Sequence, residues 1–342
     1  MTFFHSVLCM ICLLAGSVFA EESKTLLPNE IDPGFVRVST EPAEMSMLTV
    51  EGTIGDILGN PAFSGFAPLI MPWDGRDYDP GMPITAVASL LPYHGHVDPT
   101  VVTDSLNRMV RYIAKGDTVF FDIYSEAEKQ ADPTKRLTGL FFYRGKRNAP
   151  FAIIAPGGGF AYVGSLHEGF PYAARISDAG LNAFVIRYRA GFGGSVATED
   201  LAAAITFIFK NADRLGVDTK GYSVWGSSAG ARMAAYIGSH GVSAFGRHPL
   251  PKPAAVIMAY TSHSDLSSHE PPTFAVVGAD DGIAPASTMA RMIKAFRAIG
   301  TEVEFKIYPD VGHGFGLGTG TSADGWIEDA LAFWRKRMSA DR

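Results

Sequence analysis

Residues 151–155 (FAIIA) form a short unbroken apolar run, the pattern of a strand buried on both faces. Similar runs, or tight alternation of apolar with polar positions, predict strands at 117–125 (DTVFFDIYS), 138–144 (TGLFFYR), 182–188 (NAFVIRY), 222–225, 254–260, 273–277 and 303–308. Helical patterns lie between them. Leu201, Ala204, Ile205, Ile208 and Phe209 share one stripe of a helix over 198–215. Further helices are expected over 168–179, ended by Gly180, and over 229–237, 286–299 and 322–337. Residues 126–137 read as a loop.

Strands alternating with helices predict an α/β fold: a mostly parallel, eight-stranded sheet with helices on both faces. Such sheets bind ligands at the carboxyl ends of their strands. Residues 21–116 differ, being rich in Pro, Gly and Met with little alternation. They form an irregular N-terminal extension, a lid or strap, with helices expected near 45–58 and 99–115. The second opens with Asp98 as cap and Pro99 in the first turn. The catalytic domain is placed at 117–338.

Residues 1–20 contain no Asp, Glu, Lys or Arg and carry an apolar run from Val7 to Leu14. Val18 and Ala20 fit the small-residue cleavage pattern, so this segment reads as a secretory signal peptide cut after Ala20. The expected location is secreted or periplasmic, with no stable membrane span after cleavage. Cys9 and Cys12, the two cysteines of the chain, both lie inside that segment. The mature chain would therefore have no disulfide and no thiolate metal site.

Composition narrows the functional classes. The chain has 342 residues, 47% of them hydrophobic and 19% charged, which is globular rather than disordered. Lys plus Arg number 29 against 35 Asp plus Glu, a net charge of −6. That balance gives no general attraction to phosphate backbones, so no nucleic-acid partner is expected. Nothing in the composition addresses oligomeric state.

The chemistry-bearing residues follow strands. Gly226-Ser227-Ser228-Ala229-Gly230 joins the strand ending at Trp225 to a helix, the strand–turn–helix context that a G-x-S-x-G nucleophile requires. A serine hydroxyl needs a base within hydrogen-bond reach, and the base needs an orienting group. Asp280 and Asp281 follow the strand at 273–277, and His313, flanked by glycines, follows the strand at 303–308. Gly157-Gly158-Gly159 follows the strand at 151–155. A dinucleotide fingerprint would need glycine at the sixth position from Gly157, where Tyr162 stands. The run is then either a flexible loop or an oxyanion hole, and the second is the reading taken, with backbone N–H groups of Gly158 and Gly159 beside that of Ala229.

This order of motifs resembles the α/β-hydrolase superfamily. The segments Ala155-Pro156-Gly157-Gly158-Gly159-Phe160, His167-Glu168-Gly169, residues 182–188 and Gly312-His313-Gly314-Phe315 are similar to its esterase/lipase branch, which includes secreted carbohydrate (xylan) acetyl esterases. Gly278 and Pro285 align Asp281, rather than Asp280, with the family's acid. The resemblance implies a serine-dependent carboxylic ester hydrolase without cofactor, acting on a short acyl group of a small-molecule or carbohydrate ester. Ser228 would be nucleophile, His313 base and Asp281 orienting acid. Three positions depart from relatives: Pro156 where lipase-type chains carry His, Ala231 where many carry Gly, and a short segment between Tyr260 and Pro271. Alternatives are a serine peptidase of the prolyl oligopeptidase branch and a non-catalytic glycan-binding module.

Weaker signals complete the picture. Tyr162, His167 and His263 are candidate substrate contacts, and Pro92-Tyr93-His94 a loop lining or covering the pocket. His94-Gly95-His96-Val97-Asp98 has metal-ligand spacing, but no other ligand cluster accompanies it and no metal is expected. Trp73-Asp74-Gly75-Arg76 is a turn with an aromatic anchor.

Overall fold

The computed structural model describes residues 45–340, so the expected signal peptide lies outside the described residues. Helix α1 (Ile54–Leu58) is capped by Thr53, whose hydroxyl accepts the Asp56 N–H while Asp56 reaches back to the Thr53 backbone. That box starts the helix at residue 54, so the expected helix over 45–58 is only this last turn. A short α2 (Ala67–Ile70) follows among 3₁₀ turns. Helix α3 (Pro99–Ala114) begins as expected, with the Asp98 side chain accepting from Thr100 N–H, and buries Val102, Leu106, Met109 and Val110.

The segment 117–125 is a correction. Only β1 (Phe120–Phe121) is paired. Ser125 instead caps α4 (Glu126–Ala131) through a reciprocal box with Glu128, and a 3₁₀ turn, Pro133–Leu137, follows. Residues 126–137 are thus helical, because Ser125-x-x-Glu128 satisfies the first-turn donors locally.

From there the expected order holds. Strands β2 (Gly139–Tyr143) and β3 (Pro150–Ala155) precede α5 (Phe170–Asp178), which leads to β4 (Asn182–Arg187). Next come α6 (Gly194–Lys210), a separate α7 (Ala212–Leu215) after a break at Asn211, and β5 (Asp218–Ser227). Helix α8 (Ala229–His240), β6 (Ala255–Ala259), β7 (Thr273–Gly278), α9 (Ala286–Ala298), β8 (Val303–Tyr308) and α10 (Trp326–Ala340) complete the chain. The eight-stranded sheet has the order β1-β2-β4-β3-β5-β6-β7-β8. β2 is antiparallel to both β1 and β4, and every pairing from β4 across to β8 is parallel.

Both faces of the sheet are covered. Neighbouring strand residues point to opposite faces, and Phe141 meets Phe170 on α5 while Phe142 meets Phe121, which contacts Phe207 on α6. Trp225 packs on Trp326 and Trp334 of α10.

The N-terminal region shares this core. Phe66 stacks on Phe120 at 4.9 Å and meets Phe141 edge-on. Asn107 exchanges both amide groups with the Leu48 backbone. Fully buried Arg187 donates to the Pro72 carbonyl and pairs with Asp74. Residues 45–116 are therefore packed into the sheet edge rather than set apart from it.

Candidate active site

The connections leaving β3, β5, β7 and β8 converge at one edge of the sheet. Between β5 and α8 the chain turns so sharply that Ser228 has φ 51° and ψ −115°, a conformation disfavoured for any residue with a Cβ. Two glycines make the turn possible. A Cβ on Gly226 would lie 2.3 Å from the Gly230 carbonyl, and one on Gly230 would lie 1.9 Å from the Ala155 carbonyl oxygen. Ser228 N–H is anchored on the Ala259 carbonyl at 2.9 Å, tying the turn to β6.

His313 reaches this serine from the loop after β8. Its Nε2 lies 2.9 Å from Ser228 Oγ and its Nδ1 lies 2.8 Å from Asp281 Oδ2. An ionised carboxylate only accepts, so Nδ1 carries the ring proton and Nε2 is left as an acceptor for the serine hydroxyl. The other Asp281 oxygen accepts the N–H groups of Ile283 and Ala284 at 2.9 and 2.6 Å, which fixes the carboxylate plane. The Asp281 side chain is fully buried, whereas neighbouring Asp280 faces solvent. The ring of Tyr260 packs against His313 at 5.1 Å.

The 157–159 loop lies beside the elbow. A Cβ on Gly157 would come within 3.0 Å of Ser228 Cβ. The N–H and C=O of a trans peptide point in opposite directions, so each anchored carbonyl aims the next N–H away from its anchor. Gly157 C=O accepts Gly164 N–H at 2.9 Å, and Gly158 C=O accepts the N–H groups of Ala161 and Tyr162. The N–H groups of Gly158 and Gly159 are thereby turned the other way, and among the described residues neither has a hydrogen-bond partner. Gly158 and Gly159 adopt φ 130° and 63°, which favours glycine at both positions. Ala229, at the start of α8, contributes a first-turn N–H with no intrahelical acceptor.

Gly157 N–H itself is taken by Glu168 Oε2 at 2.6 Å. Glu168 has no solvent exposure. Burial pushes its carboxyl up, but His94, His167 and the Tyr260 hydroxyl outweigh that and hold it at about 2. Beyond its place in the His167-Glu168-Gly169 motif, this residue, with Tyr260, went unnoticed in the sequence. The available signal was a carboxylate inside the largely apolar stretch from Phe160 to Ala174.

The three expected substrate contacts are all buried side chains. Tyr162 is fully buried, with Trp73 and Tyr93 against its ring and its hydroxyl hydrogen-bonded to Tyr93 N–H and His94 Nδ1. His167 is buried and its Nε2 contacts the Gly314 carbonyl at 3.0 Å. His263 is buried edge-on against Tyr236 of α8, with its Nε2 unpaired. His167 also lines a small cavity with His96, Asp98 and Leu317. Tyr93 does lie at the site: its ring is 3.0 Å from where a Gly159 Cβ would be, and the residue is 43% exposed. Trp73 anchors its turn through Nε1–H to the Leu90 carbonyl. His94, of the metal-like spacing, is engaged by Tyr162 and Glu168. Among the described residues no cluster of three or more His, Cys, Asp or Glu could hold a metal, and no helix is long and apolar enough to cross a membrane.

One pH dependence follows. Burial, with His94 nearby, lowers His167 to about 4. Between that value and the ordinary imidazole range near 6.5 the unfolded chain binds a proton that the native chain does not. This contribution to stability is complete above about pH 6.5 and falls on acidification toward pH 4, by about 1.4 kcal/mol per pH unit. Urea denaturation at pH 7, 5.5 and 4.5 should show that slope, and His167→Gln should flatten it. An unchanged slope in the variant would refute the assignment.

Comparison with known proteins adds two family matches, two curated relatives and two solved structures. Residues 143–248 match the BD-FAE family and residues 247–341 the prolyl oligopeptidase family. An acetylxylan esterase of Xylanibacter ruminicola is 24% identical over 223 residues, covering 56% of this chain and 46% of that protein. An endo-1,4-beta-xylanase B of Butyrivibrio fibrisolvens is 34% identical over 93 residues, 26% of this chain and 14% of that one. The chain thus spans less than half the length of the curated relatives it matches. Among solved structures, a sugar hydrolase from Lactococcus lactis superposes with a TM-score of 0.53 at 21% identity, covering 60% of this chain and 96% of that one. An α/β hydrolase enzyme from a Medee basin deep-sea metagenome library gives 0.52 at 20%, covering 59% and 93%. The chain has the α/β-hydrolase fold, and its likeness is to the esterase branch of that superfamily.

Proposed function

We propose that this chain is a serine-dependent carboxylic ester hydrolase that removes short acyl groups, acetyl on a carbohydrate foremost, through an acyl-enzyme. The observation that carries the reading is the unbroken hydrogen-bonded line from Ser228 Oγ through His313 to buried Asp281. In the first step Ser228 Oγ attacks the ester carbonyl carbon while His313 Nε2 takes its proton. Asp281 holds the ring tautomer and faces the imidazolium that forms. The N–H groups of Gly158, Gly159 and Ala229 receive the developing oxyanion. His313 then protonates the departing alcohol as the C–O bond breaks. Water attacks the acyl-enzyme with the same base, and the acid leaves.

The acetylxylan esterase relative supports the acetyl carbohydrate. So does Tyr93, whose partly exposed ring beside Gly159 offers a flat apolar face. We assign residues 117–338 as the catalytic domain and 21–116 as an N-terminal extension, of which the described residues 45–116 form a strap beside the site. Residues 1–20 are proposed to be an export signal, so the N-terminal sequence of exported protein should begin at Glu21.

A second reading, peptide cleavage with the same machinery, is favoured by the prolyl oligopeptidase match over 247–341. A substrate series separates the two. We expect kcat/KM for p-nitrophenyl esters to be highest for acetate and to fall about tenfold or more by octanoate, with prolyl p-nitroanilides inert. Faster turnover of the anilides would favour the peptidase. Failure of a fluorophosphonate to label Ser228 would favour a non-catalytic glycan-binding module.

A further inference from the structure

Behind the glycine loop lies a buried network that the steps above do not use. Glu168 accepts three hydrogen bonds: Gly157 N–H on Oε2 at 2.6 Å, and Tyr260 O–H at 2.7 Å and His94 Nε2 at 3.0 Å on Oε1. The side chains of His94 and Glu168 are 2% and 0% exposed. An ionised carboxylate only accepts, so His94 Nε2 carries a proton toward Glu168, while the Tyr162 hydroxyl, which accepts Tyr93 N–H at 3.1 Å, lies 2.8 Å from His94 Nδ1. Every group on the carboxylate is thus a donor, as an ionised acid demands. Burying such a charge is expensive unless it is fully hydrogen-bonded.

We propose that Glu168, oriented by His94, is a positioning residue for the oxyanion hole, an inference that rests on the ester hydrolase reading. By holding Gly157 N–H it fixes the Pro156–Gly157 peptide, directly before the two peptides that carry the Gly158 and Gly159 N–H groups. Through Tyr260 it also holds the ring that packs against His313. His94 precedes residue 143, in the segment that neither family match reaches. The N-terminal strap thereby supplies part of the active-site support.

Glu168→Gln isolates the effect because it conserves shape. Its single carbonyl can serve the Tyr260–His94 side, which presents two donors, and its NH₂ then opposes Gly157 N–H and pushes the loop. With p-nitrophenyl acetate we expect kcat to fall about 100-fold with KM within about threefold, since oxyanion donors act in the transition state. Inhibition by a trifluoromethyl ketone, whose tetrahedral adduct bears the oxyanion, should weaken by a similar factor. His94→Leu should move both values in the same direction, and His94→Gln, which keeps a donor, should restore most of the loss. Circular dichroism and melting curves check folding, and if Glu168→Gln does not fold the two His94 variants decide. Folded variants with kcat within about threefold of wild type, or a loss confined to KM with ketone affinity unchanged, would overturn the proposal. The Gly157 amide proton gives a readout independent of turnover. It should resonate far downfield in wild type and shift upfield in Glu168→Gln. That signal in a wild type that hydrolyses no ester would show the ester hydrolase reading, not the hydrogen bond, to be at fault.

Discussion

Ser228→Ala is expected to lower kcat for p-nitrophenyl acetate by at least about 10⁴-fold. The same change should abolish fluorophosphonate labelling. The substitution removes one oxygen. It leaves the Cβ that lies beside Gly157, the Ser228 N–H anchor on Ala259 and the backbone turn, so the fold should melt as wild type does. What disappears is the bond-forming atom and the hydrogen bond to His313. Residual rate should match what amide donors and bound water supply without a covalent step. A folded Ser228→Ala protein that turns over acetate at the wild-type rate would end the acyl-enzyme proposal, because no other hydroxyl among the described hydrogen bonds reaches His313.

The main architecture was legible because strands buried on both faces leave a strong trace. The run FAIIA at 151–155 could hardly be exposed, and it is the central β3. Residues 117–125 misled for a related reason. Phe120 and Phe121 are buried as the pattern implies, but burial there comes from stacking on Phe66 and contact with Phe142, at a sheet edge that pairs for only two residues. The Ser125-x-x-Glu128 box that starts α4 lies directly after that apolar stretch. In the N-terminal region, irregular backbone is held by distant partners, such as Arg187 on the Pro72 carbonyl, and short-range periodicity carries no record of them.

The site shows the same division. Ser228, Asp281 and His313 each follow a strand with glycine nearby, and topology alone brings such loop positions to one edge. Glu168 is different. Its donors come from Gly157, His94 and Tyr260, three separate parts of the chain. Tyr162 and His167 sit near the glycine loop in sequence. Nearness along the chain does not say which side of a loop a side chain takes, and both lie behind it, holding Tyr93, His94 and the Gly314 carbonyl.

Asp281→Asn is expected to cost about 10⁴-fold in kcat while Asp280→Asn stays within about threefold of wild type. The two residues are adjacent in sequence, yet their surroundings differ completely. Asp281 is buried, with Oδ1 accepting two backbone N–H groups and Oδ2 facing His313 Nδ1. Asp280 is exposed, and its backbone N–H is held by the Val311 carbonyl whatever the side chain is. In Asp281→Asn the amide keeps its shape. The two N–H groups of Ile283 and Ala284 require the carbonyl oxygen on their side, which turns the NH₂ toward His313. Nδ1 must then accept, so the ring proton moves to Nε2 and Ser228 Oγ loses its base. Activity should recover as pH rises, because hydroxide can replace the misplaced base, so the log(kcat/KM)–pH profile of the variant should climb above pH 8 where the wild type is flat. Equal losses at 280 and 281, or an Asp281→Asn enzyme with wild-type kcat at pH 7, would remove Asp281 from the mechanism.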